Sequence, residues 1–267
     1  MKHQLFCIYL ILAFFYNKST NRKIVFLLFS LFFVNTRAKS QYFANKYISK
    51  LEINENDSLV FLGDSLIVDT LKMFDNSSLR FTKSTYIVFK NAFFGEGVKI
   101  LSNGTSGLSG HEISKINGLD NQNGRYKSDG SDGLHGENLF IILSFSSLGS
   151  LVIDTSGGNG GDGENGFSQK DKIKENRLDT TGKFKIKSTG KIGGKGGEGK
   201  NAGNINLYYT YNKVIPRFNR EGKNSIILTA KGGVCGKNGI TDPYFYSDSN
   251  GCFSGNDGNV FFKRLKE

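Results

Sequence analysis

The chain has 267 residues, with 35 basic against 24 acidic side chains, and 34 glycines set against only 2 prolines and no tryptophan. So little proline excludes a collagen triple helix, which needs it throughout. The basic excess gathers in 170–200 without interleaved base-stacking aromatics, which argues against a nucleic-acid partner.

Residues 1–40 read as a secretory signal region. Two apolar stretches, 5–16 and 24–34, flank the polar segment KSTNRK, and each is shorter than the roughly 20 residues that span a bilayer. The second stretch has export anatomy: Arg22 and Lys23, then IVFLLFSLFFV, then the small residues Ala38 and Ser40. We expect translation to start near Lys23, cleavage after Ser40, and no stable membrane insertion afterwards. Losing the first forty residues removes six basic groups and leaves 29 basic against 24 acidic, an ordinary balance.

Residues 41–100 predict a strand-rich N-terminal cap. They are poor in glycine and alternate apolar with polar positions in LVFLG, LIVDTLKMF, SLRFT and YIVFK, the period of short half-buried strands.

Residues 101–267 predict a glycine-rich repeat domain, since 31 of the 34 glycines lie at or after Gly104. A cycle recurs there of strand, loop, strand and glycine run, in YIVFKNAFFGEGVKILSNG, NLFIILSFSSLGSLVIDTSGG and INLYYTYNKVIPRFNREGKNSIILTAKGG. The runs keep a phase of three. Gly157, Gly160, Gly163 and Gly166 share one register while Gly158 and Gly161 begin a second; Gly193, Gly196 and Gly199 repeat this with Gly194 and Gly197. Gly104, Gly107 and Gly110 show one register only, as do Gly130, Gly133 and Gly136, and Gly233, Gly236 and Gly239. A polyproline II-type helix turns once in three residues without internal hydrogen bonds, so a glycine face implies a neighbour too close for any side chain. A flexible linker has no reason to hold that phase. Intervening Asn159, Asp162, Lys195 and Glu198 suit a solvated face.

Glycine runs that feed directly into strands, as in GGKGGEGKNAGNINLYY and DGSDGLHGENLFIIL, resemble the N-terminal domain of Obg-type GTPases. They are also similar to snow-flea antifreeze protein and to glycine-rich phage tail-tip adhesins. The likeness spans about 98–262 and implies polyglycine II architecture without an activity. The expected fold is therefore mostly β, with short strands and hairpins alternating with a polyglycine II bundle. A right-handed parallel β-helix is the alternative.

Cys7 leaves with the signal region, so Cys235 and Cys252 are expected to form a disulfide in an exported chain. It would enclose a loop with Tyr244, Phe245 and Tyr246, the expected ligand-binding residues. Three excursions, 112–127, 167–181 and 241–251, interrupt the cycle as candidate surface loops, and loops on a rigid frame are where binding concentrates.

Chemical motifs are thin. Gly161, Gly163 and Gly166 match G-x-G-x-x-G only as a glycine-dense run does by chance, with no ribose-binding acid about twenty residues on. Gly194, Gly199 and Lys200 approach a phosphate loop, but Asn201 replaces its Ser or Thr. GGNGGDGEN resembles a calcium nonapeptide with Glu164 where an apolar residue belongs, and Asp129, Asp132, Asp154 and Asp162 read as solvent-facing. His111 and His135 lie beside no nucleophile, and no pair of acids stands out. Tyr208, Tyr209 and Tyr211 alternate as packing residues do.

The expectation is an exported, non-enzymatic structural or adhesin-like scaffold at the cell surface or outside the cell. It needs no cofactor, metal or catalytic residue, and its expected partner is a glycan or cell-surface receptor. A secreted carbohydrate-active enzyme on a β-helical frame is the alternative, recognisable by two acids about 5–10 Å apart beside exposed aromatics.

Overall fold

The computed structural model describes residues 40–44, 46–116, 127–166, 176–178, 184–186, 192–211, 214–241 and 251–266. Its strands up to the first glycine run are β1 (Ser40–Phe43), β2 (Tyr47–Ile53), β3 (Ser58–Phe61), β4 (Ser65–Met73), β5 (Ser78–Phe81), β6 (Thr85–Phe94) and β7 (Val98–Leu101). Helix α1 (Gly110–Ile116) precedes β8 (Leu139–Leu148) and β9 (Ser150–Asp154). A small pair, β10 (Asn176–Leu178) and β11 (Phe184–Ile186), stands apart in a sheet of its own. The chain continues through β12 (Ile205–Tyr211), β13 (Arg217–Phe218), β14 (Ser225–Thr229) and β15 (Val260–Arg264).

Consecutive strands are not hairpins. Apart from β13 and β14, which pair within one sheet, they alternate between two sheets, ordered β1-β3-β5-β7-β9-β14-β13 and β2-β4-β6-β8-β12-β15, and every pairing in both is parallel. The expected hairpins are thereby corrected; among the described strands only β10 and β11 pair antiparallel. The reason lies at the corners. Asn56, Asn76 and Gly97 hold positive φ of 60°, 55° and 67° at equivalent bends, turning the chain from one sheet to the other. Asparagine and glycine tolerate that left-handed conformation best. Up to β9 each turn of the chain thus adds one strand to each sheet, and Ser58 lies in register with Ser78 one coil on, their hydroxyls 2.9 Å apart. Strands on both sides of residue 100 share both sheets within one compact unit, Ser40–Glu267.

The core lies between the sheets and follows from the period-two pattern. In β6, Ile87 and Phe89 point inward while Tyr86 and Lys90 face out; a register shift after Phe89 lets Ala92 and Phe94 turn inward as well. Phe61, Leu66, Leu143, Phe145, Ile205 and Ile226 complete the same buried layer. Each such side chain removed from water contributes about 1.5–3 kcal/mol. Tyr209 and Tyr211 also pack against this core, whereas Tyr208 lies outside in a row of rings, Tyr86–Phe140–Tyr208–Phe261, with centroids 5.2–5.7 Å apart.

From β7 onward, coils swell at one corner into glycine runs. Three outbound runs (104–110, 156–166 and 231–241) extend β7, β9 and β14; three return runs (127–138, 192–204 and 253–259) lead into β8, β12 and β15. Hydrogen bonding steps along them three residues at a time. Outbound neighbours lie parallel: Gly104, Gly107 and Gly110 donate to Ser156, Asn159 and Asp162, and Gly157, Gly160 and Gly163 donate to Lys231, Val234 and Lys237. Return neighbours do the same, Gly130, Gly133 and Gly136 donating to Lys195, Glu198 and Asn201. The second glycine register bonds across the layers, antiparallel: Gly158 and Gly161 donate to Leu134 and Ser131, Gly197 to Gly161, and Gly236 to Gly197, all at 2.8–2.9 Å. The two runs with double glycine registers are the middle members of their layers.

The third N–H of a triplet has no backbone carbonyl to meet and takes a side-chain oxygen instead. Asn159, Asp162 and Asn165 accept from Val234, Lys237 and Ile240, while Asp129 and Asp132 accept from Lys195 and Glu198. Asn201 and Asn204 accept from Asn256 and Asn259. Every buried backbone donor needs such a partner, so the polar position of each triplet carries a structural duty beyond facing solvent. The layers are joined to one another by hydrogen bonds that lie outside both sheets.

Candidate functional site at the tips of the glycine runs

Because the outbound runs are parallel, all three leave the sheets in one direction, and the described residues that flank their excursions meet at the far end. Lys127 donates to the Ile192 carbonyl (3.0 Å), Gly166 to the Ile240 carbonyl (2.8 Å), and Gly193 to the Thr241 hydroxyl (3.0 Å). The bases of all three expected loops are therefore neighbours. Tyr244, Phe245 and Tyr246 lie outside the described residues, within the excursion that leaves from Thr241.

The platform is fixed by one carboxylate. Glu164 sits where the second glycine register of 158 and 161 would place its next glycine, and its side chain turns into the space that opens at the tip. Lys127 Nζ is 2.7 Å from Oε1, and Ser114 Oγ donates to Oε2 at 2.7 Å. Ser128 N–H also reaches Oε2, at 3.4 Å, and the Ser114 and Ser128 hydroxyls are 2.7 Å apart. Helix α1 is thereby tied to the run beneath it. Its start is a capping box: Ser109 N–H and Oγ both donate to Glu112 Oε2 at 2.9 Å, and Glu112 N–H donates back to Ser109 Oγ.

Burial pushes the Glu164 carboxyl up, but the hydrogen bonds from Lys127, Ser114 and Ser128 outweigh it and hold the group below the ordinary glutamate range. A depressed folded value means stability that is present above the unfolded value, about 4.3, and lost as pH falls through the folded one. Glu164→Gln should therefore cost about 1–3 kcal/mol at neutral pH. In thermal melts from pH 7 to pH 3 the gap between variant and parent should close in the acid range; a gap independent of pH would contradict this role.

Cys235 and Cys252 form the expected disulfide, joining the third outbound run to the start of its return run with Cα atoms 5.7 Å apart at a sequence separation of 17. A loop of that length corresponds to about 3 kcal/mol in the chain-entropy model. Reduction should lower the thermal midpoint accordingly, read by melting with and without reductant, and Cys235→Ser should reproduce the shift.

The remaining motifs are absorbed by the lattice. Gly161, Gly163 and Gly166 spend their N–H groups on the carbonyls of Ser131, Lys237 and Ile240, so they offer no cradle for phosphate. Lys200 pairs with Asp132 (2.8 Å) and Glu198 (2.6 Å), which raise its pKa. Asp129, Asp132 and Asp162 accept from backbone N–H groups of the adjoining runs, and Asp154 from Ser156 N–H (2.9 Å), a task their solvent-facing reading missed. Among the described residues no cluster of His, Cys, Asp or Glu has metal-binding geometry, and no helix is long and apolar enough to cross a membrane. Glu164 escaped the sequence reading as a site residue, although its break in the glycine phase marked it.

Family models, curated proteins and solved structures give no match to the chain.

Proposed function

We propose that the chain is an exported, non-enzymatic structural or adhesin-like scaffold whose glycine runs are polyglycine II helices packed as a bundle. The coil of two parallel sheets is then a right-handed β-helix, the hand that nearly all parallel crossovers take. The bundle holds the bases of the three tip loops together at a distance from the sheets. A glycan or cell-surface receptor is the partner, with Tyr244, Phe245 and Tyr246 as the contact residues. The observation that carries this reading is the hydrogen bonding that brings Lys127, Ile192, Gly166, Ile240, Gly193 and Thr241 to one end. A stiff stalk with a disulfide at its edge suits a place outside the cell.

Purified protein should bind cells or a defined glycan on an array. Replacing Tyr244, Phe245 and Tyr246 together by alanine should weaken that binding at least tenfold while the melting temperature holds. A clean absence of binding to cells, glycans and matrix would contradict the reading, as would a triple variant that binds unchanged.

A further inference from the structure

The two ends of the coil differ in charge, and among the described residues no further strand covers either. In β15 every residue is exposed, including the core-facing Val260 (39 %) and Phe262 (42 %), and among the described strands β15 pairs with β12 alone, along one edge. Phe262 stacks on Phe218 with centroids 4.3 Å apart, so the last rings of the core stand uncovered at this end. Outside, the row of rings stops at Phe261, also exposed. The described residues of 214–224 and 260–266 carry six basic side chains, Arg217, Arg220, Lys223, Lys263, Arg264 and Lys266, against one acid, Glu221, and all are exposed. At the other end β1 and β2 pair with β3 and β4 on one edge only, and Tyr42 and Tyr47 are exposed. There Lys46 and Lys50 are neutralised by Asp64 (3.5 Å) and Glu52 (3.0 Å). Glu55 and Asp57, in the turn after β2, have no ion pair among the described residues.

We infer that the β15 end of one molecule docks on the β1–β2 end of a second copy, so that copies stack head to tail. Every pairing from β2 to β15 is parallel, with a register shift only between β6 and β8, so β2 of a second copy can extend the ladder beyond β15 as β15 extends β12 within the chain. That contact covers Val260 and Phe262, pairs the free edge, and sets the basic end against the end with uncompensated acids. The basic residues on β15 bar two such ends from pairing with each other, as charges on edge strands do. A heterologous contact that does not close on itself grows into a filament. Stacking requires residues 1–39 to leave the β1–β2 end clear. The proposal stands independently of the tip loops, whose variants leave both ends intact.

The test uses residues 40–267, which contain both sheets and the whole core. Light scattering after size exclusion should show an apparent mass that rises with protein concentration and falls in 0.5 M salt. Phe262→Pro removes an edge donor from β15, and Ser49→Pro removes one from β2; each variant alone should remain monomeric. An equimolar mixture of the two should form dimers and nothing larger, since each retains one usable end. Circular dichroism checks that both variants are folded, and the unaltered protein decides the matter if either is not. An unaltered protein that stays monomeric would overturn the inference. So would a folded variant that assembles alone, or a mixture of folded variants that does not pair.

Discussion

Gly161→Ala should destabilise the protein by at least about 3 kcal/mol, lowering the melting temperature by roughly 10 °C. A methyl group at that position would meet the Leu108 carbonyl oxygen at 1.9 Å and the Ser109 nitrogen at 3.0 Å, both backbone atoms held by their own hydrogen bonds. A side chain could swing aside. These cannot, because the neighbouring run is anchored in register by Gly107 and Gly110. Gly161 also donates to Ser131 and accepts from Gly197, so a displacement there is passed to the return layer. Gly251→Ala is the control: a Cβ there meets nothing within 4 Å, and the variant should melt with the parent. Equal behaviour of the two variants in calorimetry would count against close backbone packing.

Phe89→Ala should cost about 3–5 kcal/mol by the other route, a cavity left in an apolar layer. Phe89 is fully buried on β6, paired with Val68 and Leu143 on either side in a central position of its sheet. Calorimetry or denaturant unfolding measures the loss, and a change below about 1 kcal/mol would mean that the space between the sheets is not packed as described. The pair of variants separates the two means of cohesion in one chain. One part is held by side chains removed from water. The other is held by hydrogen bonds from backbone N–H groups to backbone carbonyls and to the Asn and Asp side chains of neighbouring runs.

The period-two alternation of 41–100 marked its strands, and a double glycine phase marked the middle run of each layer, 156–166 and 192–204; the single-phase runs, expected at edges with a neighbour on one side, also have neighbours in the facing layer. The coil was also written in the chain, though less plainly. SLVF at Ser58 and SLRF at Ser78 are the same phrase twenty residues apart, with Asn56 and Asn76 before them as corners. Hairpins were expected because four-residue turns between short strands are locally consistent with either outcome; the choice is made by the partner one coil away. Asparagine and aspartate in the glycine triplets read as solvent-facing from composition alone. Their capping role depends on a neighbouring run 55 to 75 residues distant, which no local pattern reveals. Glu164 was legible as an interruption of phase, but its partners Ser114, Lys127 and Ser128 arrive only with the fold.

Residue-resolved amide hydrogen exchange is the most direct measurement of whether the glycine runs form an ordered lattice. Gly158, Gly161, Gly194, Gly197, Gly233 and Gly236, which donate between layers, should be protected as strongly as the core strand residues Ile141 and Leu143. Exchange of those glycines at the rate of an unstructured chain, with Ile141 and Leu143 still protected, would contradict it.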